Sequence, residues 1–257
     1  MNKIRISTLK YANSYPFLFG LKNSGFDKKV ILSTDHPADC AAKLISNSVD
    51  IGLIPVAALP MLHEYHIISD FCIGANGIVK TVMLLSNSPF EKINSVYLDY
   101  RSLTSVNLVQ VLSKYYWERK FKWKNTHENF DFTKINENEA IILIGDQCFE
   151  NEKHFKYGID LALEWKKFTG LPFVFACWTA NKKIAPEFIA EFNNALKSGV
   201  ENIAAVVAEM GKTGVIKGAE LEYYLTKNID FKLNDDKKKA LKMFLMFLEN
   251  CKLKTDN

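Results

Sequence analysis

The sequence predicts an α/β protein of two lobes with a ligand cleft between them. Three observations carry this expectation. Short apolar strand-like segments alternate with helix-like ones near the N-terminus, and the alternation resumes after Ser95. Two longer apolar segments, Ile78 to Ser86 and Leu171 to Trp178, are long enough to carry the chain from one lobe to the other and back. Polar residues follow directly on several strand ends, where open α/β sheets bind their ligands. The expected division is 1–85 with 179–257 as the first lobe and 86–178 as the second. A two-strand hinge joins them, and such a hinge can close on a small molecule and exclude water.

The elements follow in chain order. Lys3 to Leu9 alternates as a first strand. Asn13 comes directly after it, ahead of the apolar run from Tyr15, and is either a ligand contact at the strand end or a helix N-cap. Val30 to Ser33 reads as a second strand. Pro37 then opens a helix to about Asn47. Ser48 to Pro55 is the third strand, closed by Pro55, and a helix from Val56 to Glu64 follows. His63 and His66 stand at i, i+3 with no third ligand nearby, which suits a helix end better than a metal site. Arg119 to Glu139 is polar and reads as a weakly structured excursion whose one strand-like piece is Phe130-Asp131-Phe132. Ala140 to Ile144 is a buried strand. It ends in Gly145-Asp146, whose N–H or carboxylate would face the crevice. Leu161 to Phe168 is helical. From Pro186 onward the pattern is helical throughout, about 187–210, 214–226 and 235–251. In the last of these the Lys237-Lys238-Lys239 run reads as a solvated face. No internal repeat is visible.

The stretch from Ser95 to Val106 carries the chemistry most directly. Val96 and Leu98 alternate with polar neighbours as in a strand. Val106, Leu108, Val109, Val111 and Leu112 then give a helical apolar face. Between them sit Ser102, Thr104 and Ser105. A helix start there offers unpaired N–H groups, partial positive charge and hydroxyls, a setting that holds a carboxylate or phosphate without a metal. The same hydroxyls would also serve as caps.

Composition narrows the partners. The chain has 257 residues, 48% hydrophobic and 24% charged, with a formal net charge of +4. That mild charge suits an anionic small molecule and lacks the basic stripe of a nucleic-acid binder. Five scattered cysteines without a C-x-x-C pair give no disulfide framework or zinc site. They fit reduced thiols in the cytoplasm. Met1 to Ile6 runs straight into a strand with no apolar leader segment. The longest apolar run, Ile51 to Leu62, is interrupted by two prolines and falls short of the ~20 residues of a membrane span. No cluster of metal ligands or phosphate-cradling glycine loop is present, so neither metal nor cofactor is expected.

The chain resembles the chorismate dehydratase family of the futalosine route to menaquinone. The resemblance runs from Ile4 to Trp178. Its pieces are Tyr11-Ala12-Asn13-Ser14-Tyr15-Pro16, Asp50 through Val56, Gly77 through Ser86, Leu98-Asp99 with Thr104-Ser105-Val106, Ile144-Gly145-Asp146, and Glu164-Trp165 through Ala176. It implies a type II periplasmic-binding-protein fold that has become an enzyme. The implied reaction converts chorismate into 3-[(1-carboxyvinyl)oxy]benzoate and water without a cofactor. It implies Asn13 and Thr81 as catalytic residues, and Pro55, Ser102, Thr104, Ser105, Gly145 and Asp146 as substrate contacts. Leu103 stands where the family often has Arg, with Arg101 two positions earlier. Thr81 stands where it often has Ser. The sequence offers no histidine at a strand end as a base, in keeping with the family proposal that the substrate's enolpyruvyl carboxylate takes the ring proton. Two other readings share the fold: a small-anion solute-binding or sensor protein, and the sister dihydroxynaphthoate synthase. Exported solute-binding proteins carry a leader. The synthase relies on a histidine in the second lobe, where His127 and His154 lie in polar stretches.

Overall fold

The structure, a computed structural model, describes residues 3–252. Met1 and Asn2, the start of the expected first segment, lie outside the described residues. The first lobe opens with β1 (Arg5–Leu9), α1 (Tyr15–Asn23), β2 (Ile31–Asp35), α2 (Pro37–Ile45) and β3 (Ile51–Pro55). β1 pairs in parallel with β2 and β3. Every residue of β3 is buried, as a strand covered on both faces requires. Val56–Met61 forms 3₁₀ turns around Pro60 rather than the expected α-helix, because a proline in a helix interior removes a donor and clashes.

β4 (His66–Ala75) and β10 (Phe173–Ala180) complete the sheet with the short β11 (Asp230–Lys232), in the order β11-β4-β10-β3-β1-β2. The second sheet contains β5 (Val82–Ser86), β6 (Ser95–Leu98), β7 (Lys122–Asn125), β8 (Glu139–Ile144) and β9 (Tyr157–Asp160), in the order β7-β6-β8-β5-β9. The two orders are the same pattern. In each sheet a parallel triplet is followed by one incoming strand antiparallel to it and one outgoing strand antiparallel to the incoming one, and the first sheet adds β11 at its edge. A structural repeat is therefore present without a repeat in sequence.

This topology moves the expected boundaries. β5 lies wholly in the second sheet and β10 wholly in the first. The chain crosses at 76–81 and again at 161–172, where α5 (Leu161–Thr169) sits. Neither Ile78–Ser86 nor Leu171–Trp178 is one strand spanning both lobes. The supposed excursion after Arg119 supplies the edge strand β7. Lys124 of β7 pairs with Glu139, buried at the start of β8.

One buried carboxylate ties the crossings together. Asp160 accepts from Val79 and Lys80 N–H through one oxygen, at 2.9 and 2.8 Å. Through the other it caps α5, accepting from Ala162 and Leu163 N–H at 3.0 and 3.1 Å.

The C-terminal region is α6 (Pro186–Glu201), α7 (Ile203–Met210), α8 (Gly218–Tyr223), a π-helical turn at Tyr224–Asn228, and α9 (Asp235–Lys252). α1 and α6 touch through glycines. A Cβ on Gly199 would stand 1.7 Å from Pro16 O, and one on Gly20 would stand 2.0 Å from Ala195 O. α9 reaches across to the second lobe. Phe244 meets Trp165 of α5, and Phe247 meets Phe168 of α5 and Tyr115 of α3 (Thr104–Tyr115), with ring centroids 6.1, 5.6 and 4.8 Å apart. Lys237, expected on a solvated face, is fully buried. Its ammonium donates to Asp230 O and Lys232 O at 2.6 and 2.7 Å and pairs with the Asp230 carboxylate, which satisfies its charge. Among the described residues no helix is long and apolar enough to cross a membrane.

Candidate active site in the interlobe cleft

Each lobe contributes the carboxyl ends of its strands and the helix starts that follow them. The turn after β1 is fixed by Ser14, whose hydroxyl bonds Leu9 O and Tyr11 O at 2.5 and 2.9 Å. That turn places Tyr11 and Asn13 at the cleft. A narrow cavity of about 50 Å³ lies between the lobes, with room for a few waters. Tyr11, Asn13, Pro55 and Phe175 wall it on the first-lobe side, and Ser102, Thr104, Ser105 and Gly145 on the second. Thr81 enters from the first crossing. No residue of this wall carries a formal charge.

Asn13 does not cap α1, since neither the 3₁₀ turn around it nor the helix has a side-chain cap. Its Oδ1 is buried without a hydrogen-bond partner among the described residues. A buried unpaired acceptor is costly and rare in folded proteins. Facing a cavity, it is an acceptor that a bound donor would satisfy.

The hydroxyls at the start of α3 divide into three situations. Ser102 Oγ accepts Ser105 N–H at 3.2 Å and so caps the first turn. Thr104 Oγ1 donates to Phe175 O at 3.0 Å and accepts Ala57 N–H at 3.3 Å, so it bolts α3 to the first lobe. Ser105 is buried at the cavity wall with its hydroxyl uncommitted to any other described residue. The 12-residue helix directs its positive end toward the same space.

Gly145 is needed twice over. Its φ of +62° favours glycine, and a Cβ there would stand 2.9 Å from the Tyr11 ring. Asp146, expected beside the substrate, is not in the wall. Its carboxylate accepts Ala12 N–H at 3.0 and 3.3 Å, clasping the end of β8 to the turn after β1. Burial pushes this carboxyl above its ordinary value, against the pull of that N–H and with a small push from Glu150.

Arg101 does not replace the missing family arginine in the wall. It is held by Asp99, with Nε 3.1 Å from Oδ1, and by Gln147. One histidine does stand at a strand end, contrary to the sequence reading. His36 follows β2 directly and bonds the Tyr11 hydroxyl through Nδ1 at 3.0 Å. Burial, Lys10 and Arg101 hold it below its ordinary value, so the neutral ring is favoured. It lies one hydrogen bond behind the wall. Its preceding strand extends to Asp35, and that added length was the missed signal. Tyr224 was also missed. Its hydroxyl stands 2.8 Å from Thr81 Oγ1, across 143 residues of sequence.

Fold and cleft together define a two-lobed periplasmic-binding-protein-like protein with its ligand site between the lobes. Solved structures of that shape agree. A protein of Archaeoglobus fulgidus superposes with a TM-score of 0.75 at 14% identity, over 98% of each chain. A Candida albicans protein described as having the generic periplasmic binding protein structural fold gives 0.65 at 12%, over 96% of this chain and 91% of that one. The alkanesulfonate-binding protein of Xanthomonas axonopodis, bound to MOPS, gives 0.65 at 11% over the same shares. The chain belongs to the menaquinone biosynthesis family, whose model matches residues 4–250. It is 24% identical to the chorismate dehydratase of Thermus thermophilus over 257 residues, covering 91% of each chain.

Proposed function

We propose that this protein is a chorismate dehydratase, a carbon–oxygen lyase of the futalosine route, working on a soluble small molecule in the cytoplasm. The observation that carries the reading is the cleft wall itself. It joins an unpaired asparagine acceptor, hydroxyls from both sides and a helix N-terminus in a space without charged side chains. In this reading the start of α3, with Ser105, holds a substrate carboxylate through N–H and O–H donors. Asn13 Oδ1 accepts from the ring hydroxyl that departs. The C–O bond to that hydroxyl breaks, and the neighbouring C–H pair enters the ring, which becomes aromatic. The ring proton passes to the substrate's own enolpyruvyl carboxylate and leaves with the hydroxyl as water. No carboxylate or histidine in the wall competes for the role of base. The protein contributes orientation and fixed dipoles in the cleft between the lobes, which supply much of the catalysis in many enzymes. Because the walls come from two lobes, substrate enters when they part.

The test is turnover. Purified protein incubated with chorismate should release 3-[(1-carboxyvinyl)oxy]benzoate, seen by its aromatic absorbance and mass. Asn13→Asp puts a negative charge beside a dianion and removes the amide. It should lower kcat/KM at least a hundredfold with Tm within a few degrees, and Asn13→Ala should fall similarly. Tight chorismate binding without product would favour a solute-binding or sensor role. A protein that ignores chorismate and closes a later intermediate would favour the dihydroxynaphthoate synthase. An active Asn13→Asp enzyme would remove Asn13 from the reacting centre.

A further inference from the structure

We propose that Tyr224 is a positioning residue for the reaction, turning the Thr81 hydroxyl into a directed donor at the cavity. The inference rests on the dehydratase reading and adds a group from the C-terminal region, outside the strand-end motifs. Tyr224 opens the π-helical turn Tyr224–Asn228. Such turns widen a helix locally and often mark functional sites. This one grips the first crossing twice. Tyr224 meets Thr81 at 2.8 Å, and Asn228 Nδ2 donates to Ile78 O at 3.1 Å.

The direction of the bond follows from counting donors and acceptors. Tyr224 is 2% exposed, and burial pushes its phenol far above the ordinary value, so it keeps its proton. A buried hydroxyl proton needs an acceptor. The hydroxyl bonded to it among the described residues is Thr81 Oγ1, a pair in which either oxygen can donate, and we assign the Tyr224 proton to this bond. Once Thr81 accepts from Tyr224, its own proton has two destinations. One is Val79 O, at a marginal 3.5 Å. The other is the cavity that Thr81 lines. A ligand oxygen there wins that proton, and the Tyr224 bond polarises the Thr81 O–H to strengthen it. Asn13 also stands near enough to Tyr224 to influence the phenol. The departing hydroxyl is then held from two sides: Thr81 donates a hydrogen bond to its oxygen, and Asn13 Oδ1 accepts a hydrogen bond from its O–H, which stays on the leaving oxygen. Phe149 packs edge-on against the Tyr224 ring at 5.1 Å and fixes its plane.

A double-mutant cycle tests this, with chorismate turnover and calorimetric chorismate binding measured for wild type, Tyr224→Phe, Thr81→Val and the double variant. Losing one oriented hydrogen bond should lower kcat about five- to tenfold in Tyr224→Phe, with KM changed less than twofold. In the Thr81→Val background the same change should alter kcat less than twofold, because Tyr224 acts through that hydroxyl. A merely structural tyrosine would lower Tm, leave kcat in place and give independent effects. Wild-type kcat in Tyr224→Phe, or losses that multiply in the double variant, overturn the proposal. Wild type that binds chorismate without turnover overturns the dehydratase reading alone, and the cycle is then decided on Kd. Wild type that neither binds nor converts chorismate overturns both.

Discussion

The Asp146 clasp supports a prediction in which two substitutions at one position move in different directions. Asp146 sits after β8 in the second lobe, and its carboxylate accepts Ala12 N–H at 3.0 Å in the first. Asp146→Ala leaves that N–H, on a residue 2% exposed, without its partner. An abandoned buried donor costs about 1–3 kcal/mol. At about 1.4 kcal/mol per tenfold, that is roughly a five- to 150-fold loss in the equilibrium holding the lobes together. Asp146→Asn behaves otherwise. The carboxyl's folded value is raised by burial, so the folded state binds its proton more readily than the unfolded chain does. The group's stabilising share is therefore present below the unfolded value, about 4, and is lost as pH rises through the folded value. At pH 7 the buried charge is a cost, which an asparagine removes while still accepting the N–H. Urea unfolding at pH 7 should place Asp146→Asn level with or above wild type and Asp146→Ala about 1–3 kcal/mol below. The gap between wild type and Asp146→Asn should narrow toward pH 4. An Asn variant as unstable as the Ala variant would refute the burial argument.

At the start of α3, Ser105→Ala should raise KM for chorismate about tenfold at unchanged Tm, because its hydroxyl has no structural partner and a lost bond to a carboxylate costs about 1.5–3 kcal/mol. Thr104→Val should lower Tm as well as activity, since it cuts the links to Phe175 O and Ala57 N–H; differential scanning calorimetry beside steady-state kinetics separates the two. His36 should shape acid sensitivity. Its folded value lies below the ordinary 6.5, so its share of stability is present above that pH and is lost as pH falls through the folded value. His36→Gln should flatten the profile of Tm against pH below about 6.5.

Sequence patterns revealed what is local and concealed what depends on distant pairing. β3 and β8 were legible because continuous apolar runs bounded by turn residues mark buried strands. That Asn13, Ser102 and Ser105 line the cavity was legible because residues just after strand ends face the crevice of an open α/β sheet. The two crossings were misplaced because alternation reports burial, not which sheet a strand joins. The three-residue β11 and four-residue β9 are too short for any period to register. Lys237 was read with its neighbours as solvated, although a helix turns the middle of a lysine run in a different direction from its flanks. Tyr224 had no local signal, because its partner Thr81 lies 143 residues earlier in the sequence.

The sheet orders also fix when each half of the molecule is completed during synthesis. All five strands of the second sheet fall between Val82 and Asp160 without interruption. The first sheet lacks β10, the strand between β3 and β4, until Ala180 has been made. A ribosome therefore releases a finished second lobe while β3 and β4 still present unpaired edges toward each other. In the nascent chain β10 follows the four strands around it, as an insert into a waiting gap, with only the edge strand β11 still to come, and its insertion brings Phe175 into place against Thr104. Assembly of the cleft and closure of the gap in the first sheet are one event.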